Sequence, residues 1–207
     1  MRNNKLRVVG LLGGVAGGKS LIARQLQALG AGSLDGDAAG HEVLRLPELE
    51  QLARRRWGEE IFGPDGHVRR PALAKIVFSP TADGRRELEY LEQITHPKIE
   101  TLLRREASRL AAEGFSVAVL DAPVMLKAGW DRLCDRIVFV DAPDEVRRQR
   151  ALLRGWSQED FMAREAAQEP LQIKRDRADT IIDNSGTPEA TRSQVERLWQ
   201  SLVSPDE

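Results

Sequence analysis

Arg7-Val8-Val9-Gly10-Leu11-Leu12-Gly13-Gly14-Val15-Ala16-Gly17-Gly18-Lys19-Ser20 is an apolar run that breaks into glycines and ends on an ammonium and a hydroxyl. An uninterrupted apolar run closed by glycines reads as a parallel strand buried on both faces. Ile22, Leu26 and Leu29 then recur at helical spacing, and Gly30 supplies the stop. The segment Gly13–Ser20 fits G-x-x-x-x-G-K-[ST] in full and stands between a strand and a helix, the context that gives this pattern its meaning. Glycines there let successive N–H groups turn inward on a phosphate, and the helix that follows adds the partial positive charge of its N-terminus. Gly14, Val15, Ala16, Gly17, Gly18, Lys19, Ser20 and Leu21 are therefore the expected nucleotide contacts, and the loop alone leaves kinase, GTPase and ATPase open. Lys19 would reach the β- and γ-phosphates, and the Ser20 hydroxyl would ligate Mg²⁺.

Working outward, the same strand signature recurs at Gly32–Leu34, Ser116–Asp121, Arg136–Asp141 and Thr180–Asp183. Apolar stripes at helical period fall between and after them, at Ile99, Leu102, Leu103 and Leu110, and at Val195, Leu198, Trp199 and Leu202. Strands separated by helices predict a three-layer α/β/α fold on a five-stranded parallel sheet. Residues 38–113 lack a strand pair and are rich in helix formers, which predicts a helical insertion. Residues 144–177 are rich in arginine and poor in large apolar side chains, which predicts a helical flap. The core is thus expected at about 1–37, 114–143 and 178–207, within one domain.

Composition narrows the function. Among 207 residues, 31 Lys+Arg against 32 Asp+Glu leave a formal charge of −1, so there is no global electrostatic case for nucleic acid. One cysteine, Cys134, excludes an internal disulfide and a Cys-built zinc site, and His41, His67 and His96 are too scattered for a His centre. No run of about 18 apolar residues exists to span a bilayer. Met1-Arg2-Asn3-Asn4-Lys5 leads into a strand rather than reading as a secretion signal, so a cytoplasmic location is expected. A guanine-reading N-K-x-D is missing from the late strand, which argues against a GTPase. Small size, a helical insertion and an arginine-rich flap suit a small-molecule kinase that closes over its substrates to keep water out. Asp37 lies just past the second strand, near the edge where α/β sheets bind ligands. It reads either as the group that accepts the acceptor hydroxyl's proton or as a helix N-cap. His96 before Pro97 reads either as a helix start or as a substrate contact.

Together these motifs resemble the dephospho-CoA kinase family across nearly the whole chain. The resemblance runs through GGVAGGKS at Gly13–Ser20, Asp35-Gly36-Asp37 with His41-Glu42-Val43, and Arg70-Pro71-Ala72-Leu73 leading to Ile76-Val77-Phe78. It continues through His96-Pro97, Asp121-Ala122-Pro123-Val124-Met125-Leu126, Asp135-Arg136, Arg150, Arg154, Ala167-Gln168, and Ala178-Asp179 leading to Ile182-Asp183-Asn184-Ser185-Gly186. It implies an ATP-dependent, magnesium-requiring phosphotransferase that acts on the ribose 3′-hydroxyl of dephospho-CoA, in the last step of coenzyme A synthesis. Asp37 would be the general base and, with His96, an acceptor contact. Lys19 and Ser20 would hold phosphates and metal, and Arg150 and Arg154 would be lid arginines. The insertion would bind the CoA moiety and the flap would be the lid. ATP and dephospho-CoA are the implied partners of a monomer or weak homo-oligomer that uses neither membrane nor nucleic acid. The chain departs from the family pattern at Gly17 (usually Ser), Leu21 (usually Thr), His41 (often Arg) and Lys127 (usually Glu). The alternatives are another small P-loop kinase acting on a nucleoside or nucleotide, and a nucleotide-binding regulator without turnover.

Overall fold

A computed structural model describes residues 6–204. The reading of Met1–Lys5 lies outside the described residues. Five strands form one parallel sheet: β1 (Arg7–Gly13), β2 (Gly32–Asp35), β3 (Val117–Asp121), β4 (Arg136–Asp141) and β5 (Thr180–Asp183), in the order β2-β3-β1-β4-β5. The chain leaves β1 for one side of the sheet and later returns to the other, so the strand order reverses at β1. Ligands of open α/β sheets bind at such a reversal, beyond the carboxyl ends of the strands. The glycine loop lies there.

The helices are α1 (Lys19–Ala28), α2 (Gly36–Val43), α3 (Pro47–Trp57), α4 (Arg70–Val77), α5 (Ala82–Ala112), α6 (Asp144–Leu153), α7 (Gln158–Ala166), α8 (Leu171–Asp176) and α9 (Pro188–Val203). Alternation explains the continuous apolar character of β1. Val9 and Leu11 join a core with Ile22 and Leu26 of α1 and with Val195, Leu198 and Leu202 of α9, while Gly10 on the other face meets Met125 and Cys134. Gly30, at φ 113°, closes α1 in the left-handed conformation that a helix C-terminus favours.

Chain contacts divide the protein into two units. One takes the residues up to Asp35 and those from Arg105 onward, and so contains the whole sheet; the other is Gly36–Arg104. The second unit has its own apolar core of Ala53, Trp57, Ile61, Phe62, Leu73 and Val77. There Trp57 donates to Glu87 at 2.8 Å and meets Tyr90 edge-on, while Arg56 forks onto Glu87 through two 2.8 Å bonds. This tryptophan and this arginine thus serve packing and a surface ion pair. No helix among the described residues is long and apolar enough to cross a membrane.

One expectation is corrected. His96-Pro97 does not start a helix: α5 begins at Ala82 and runs through Pro97. An interior proline lacks one N–H and crowds the carbonyl four residues back, at a cost of about 3 kcal/mol. Burial of Thr95, Ile99 and Leu103 around it outweighs that cost, and Thr95 keeps its hydroxyl on the Leu91 carbonyl at 2.7 Å. The helical stripe was legible, but proline masks its N-terminal half.

Leu26 is fully buried between α1 and the sheet. Leu26→Ala should lower the unfolding free energy by about 3 kcal/mol in urea titrations, with an unchanged denaturant slope.

Candidate nucleotide-binding site

The loop from Gly13 to Ser20 owes its shape to both local and distant contacts. Gly18 caps α1 at φ 106°, and a Cβ there would also drive into the Asn184 side chain. Ala16 holds φ 56°, a left-handed conformation that costs a residue with a Cβ about 1 kcal/mol. An apolar patch keeps it there: Val15 and Ala16 pack with Ala151 of α6 and Phe161 of α7, with Trp156 alongside. When a loop turns its amides inward, its carbonyls must point out and find donors elsewhere. The Gly14 carbonyl takes the Gly17 N–H at 3.0 Å. The Gly17 carbonyl takes Asn184 Nδ2 at 2.8 Å and Arg150 Nη1 at 3.4 Å. The Val15 carbonyl takes Arg147 Nη1 at 3.4 Å, and the Gly13 carbonyl takes Lys19 Nζ at 3.4 Å.

Asn184 is itself fixed. It is buried just beyond β5, its N–H donates to the Asp141 carbonyl at 2.8 Å, and its Oδ1 accepts from Thr191 of α9 at 3.1 Å. Arg150 Nη2 adds a 2.8 Å bond to the Asn184 carbonyl, so arginine, asparagine and loop form one network.

Positive charge converges on the loop. Burial holds the Lys19 ammonium below its usual range; the carboxylates of Asp121 and Glu165 work against that, and Arg154 adds to it. Lys174 of α8 is 2 % exposed and donates to Gln168 Oε1 at 2.6 Å. Burial, helped by the charge of Lys19, pushes its pKa down to about 8. Arg147, 3 % exposed, pairs with Glu165 at 2.8 Å and with Asp144 at 3.0 Å. Arg154 is exposed at the end of α6, with its guanidinium 5.7 Å from the Trp156 ring. Ser20 is exposed in the first turn of α1. At the sheet's carboxyl edge, Asp121 of β3 stands in register with Asp35 of β2.

Lys19, Ser20, Arg150, Arg154 and Gly14–Leu21 therefore belong to one unit, around one loop. Asp37 and His96 belong to the other. Asp37 is exposed in the first turn of α2, which begins at Gly36, so it sits inside the helix rather than capping it from outside. His96 is half-buried within α5. Sequence reasoning missed Arg147, Glu165, Lys174 and the role of Asn184. For Arg147 a signal existed: 147, 150 and 154 are spaced i, i+3, i+7, one face of a helix. Cys134 is half-buried, and burial pushes its thiol up to about 12, the inert thiol its isolation in sequence suggests.

Comparison with known proteins shows which family the chain resembles. The dephospho-CoA kinase family model matches residues 7–189. The chain is 40% identical over 200 residues to the dephospho-CoA kinase of Anaeromyxobacter dehalogenans, covering 95% of this chain and 92% of that one. It is 39% identical to the dephospho-CoA kinase of Symbiobacterium thermophilum, covering 95% and 81%. The crystal structure of a Thermus thermophilus protein superposes with a TM-score of 0.80 at 32% identity, covering 96% of this chain and 98% of that one.

Lys174 gives this site a pH signature. The unfolded chain holds that proton up to about 10.5 and the folded protein only to about 8, so folding gains stability as pH rises between the two values. Urea unfolding at pH 7.5, 9 and 10.5 should show this gain, on the order of 3 kcal/mol, relative to Lys174→Met, which lacks it.

Proposed function

The chain belongs to the dephospho-CoA kinase family, and we propose that Lys19, Asp37, Arg150 and Arg154 divide the work of its phosphoryl transfer. The reaction moves the γ-phosphoryl of ATP to the 3′-hydroxyl of the dephospho-CoA ribose, giving ADP and CoA. The observation that carries this reading is the complete Gly13–Ser20 loop, with its carbonyls held outward, in a chain that matches the family over residues 7–189.

Amides within Gly14–Leu21 receive the phosphate oxygens, except those of Gly17 and Leu21, which bond the Gly14 and Gly18 carbonyls at 3.0 and 2.9 Å. The Lys19 ammonium bridges the β- and γ-groups. The acceptor oxygen attacks the γ-phosphorus in line with the departing ADP oxygen while the Asp37 carboxylate takes the hydroxyl proton. Charge spreads over the moving phosphoryl oxygens. Guanidiniums that meet it there stabilise the transition state more than bound ATP. Arg154, exposed at the end of α6, is free to swing toward that charge, whereas Arg150 fixes the loop's backbone. Residues 144–177 act as the lid and the Gly36–Arg104 unit, with His96, takes the acceptor. The lid strips water from the reacting groups.

Magnesium suits the oxygen donors of the site. Among the described residues no group of three or more His, Cys, Asp or Glu side chains could hold an ion, so a bound Mg²⁺ would draw most of its oxygens from phosphate and water. The Ser20 hydroxyl would hold it directly, with Asp121 ordering its waters. When bound, the ion neutralises charge on the β- and γ-phosphate oxygens.

Purified protein given ATP, Mg²⁺ and dephospho-CoA should release ADP and CoA in stoichiometric amounts; folded protein that yields neither overturns the assignment. A panel of nucleoside and nucleotide acceptors separates this activity from that of other small kinases. Lys19→Ala should raise the KM for ATP and lower kcat by at least about 100-fold. Asp37→Asn should lower kcat by about 100-fold or more with ATP affinity within about twofold, and full activity in that variant would remove its role as base.

A further inference from the structure

The loop's amides are not all waiting for a ligand. The Val15 N–H, one of the group expected to meet phosphate, donates to Glu165 Oε1 at 2.7 Å. The same oxygen lies 2.8 Å from Arg147 Nη1. The Glu165 carboxylate is also close enough to Lys19 and Lys174 to hold their protons on more tightly. One carboxylate therefore receives a loop amide, a buried guanidinium and the field of two lysines, which is the set of partners a terminal phosphate would receive.

We propose that Glu165 is an internal surrogate for a nucleotide phosphate, which keeps α7 on the loop until the triphosphate displaces it. This rests on the reading that the loop takes ATP. Three features favour displacement over a permanent bond. The carboxylate carries one charge and two oxygens, whereas the triphosphate carries several charges and more acceptors, so the same cations hold it more strongly. Glu165 lies in the last turn of α7, whose other hold on the loop is the contact of Phe161 with Val15 and Ala16. The third is Arg147, whose buried Nε has no hydrogen-bond partner, so the side chain has donor capacity that Glu165 leaves unused. Its guanidinium lies hard against the loop: a Cβ on Gly14 would sit 2.6 Å from Nη1. Once Glu165 leaves, Arg147 faces the incoming phosphate with a freed Nη1, while Asp144 keeps Nη2 in place at 3.0 Å.

Such a device makes ATP entry and release of α7 one exchange. It lowers apparent affinity by the fraction of molecules with Glu165 withdrawn. It also offsets part of the buried positive charge of the nest while the nest is empty.

Calorimetry with Mg²⁺-ATP tests this on the intact protein. Glu165→Gln keeps the shape and an acceptor for Val15 but removes the charge, and it should tighten ATP binding by about fivefold to tenfold. Asp144→Asn removes the same charge from the same arginine without touching the loop, and its affinity should stay within about twofold of the parent. An unchanged or weaker affinity in Glu165→Gln overturns the proposal, as does equal tightening in both variants, which would reduce the effect to bulk charge. Should Glu165→Gln fold poorly, the parent protein decides. Trp156 packs beside Phe161, so its emission, isolated by subtracting a Trp156→Phe sample, should change on ATP addition. No change overturns displacement. A parent protein that binds ATP yet makes no CoA overturns the acceptor reading alone, and the affinity comparison still decides the role of Glu165.

Discussion

A peptide unit cannot turn its N–H toward a ligand without turning its carbonyl away, and the site depends on that constraint. Where an amide between Gly13 and Ser20 is to meet a ligand, the carbonyl of the same peptide points outward and needs a donor. Gly17 supplies one from within the loop, for Gly14, and the Lys19 side chain supplies another, for Gly13. The rest come from far along the chain: Asn184 and Arg150 for Gly17, and Arg147 for Val15. Each such bond contributes about 1 kcal/mol net, and somewhat more where the donor is charged. A buried carbonyl left without its donor would cost more than the bond is worth. The last third of the chain thus holds open a cradle built at its start.

That arrangement concentrates cations beyond what folding alone would favour. Lys19 and Lys174 are both held below the usual ammonium range by burial, and Arg147 is almost wholly buried. Burying charge without full compensation destabilises the fold, and proteins retain such groups where function requires them. Glu165 and Asp121 offset part of the excess. The balance left over is what a polyanionic ligand meets on arrival.

Legibility in the sequence followed the range of the interaction. Strands β1, β3 and β4 could be read because they are buried on both faces, which imposes unbroken apolar runs, whereas the edge strands β2 and β5 bury only alternate residues. The loop could be read because its glycines and Lys19-Ser20 are contiguous. Helix α5 was only half legible, since Pro97 looks like a boundary when the burial of Ile99 and Leu103 that overrides it is not in view. Asn184 is 167 positions from Gly17 and Glu165 is 150 from Val15, so no local pattern marks either. They become visible only when the sheet sets β4 between β1 and β5, which carries the end of β5 and the segment between β4 and β5 to the glycine loop.

Helix α6 shows how one local pattern can yield three different roles. Arg147, Arg150 and Arg154 share a face, yet exposure grows along the helix from buried through half-buried to exposed. Arg147 is fixed by Asp144 and Glu165, and Arg150 by two backbone carbonyls, so neither can travel far without breaking charged bonds. Arg154, at the helix end, has its guanidinium 5.7 Å from the Trp156 ring and lies near enough to Lys19 to help lower its pKa. Stabilising a charge that develops late requires a cation whose best partner is absent in the ground state. In the phosphoryl transfer proposed above Arg154 would meet that requirement, while Arg150 holds the Gly17 peptide still. The identity of the side chain is the same at all three positions; the partners already in place determine what each can do.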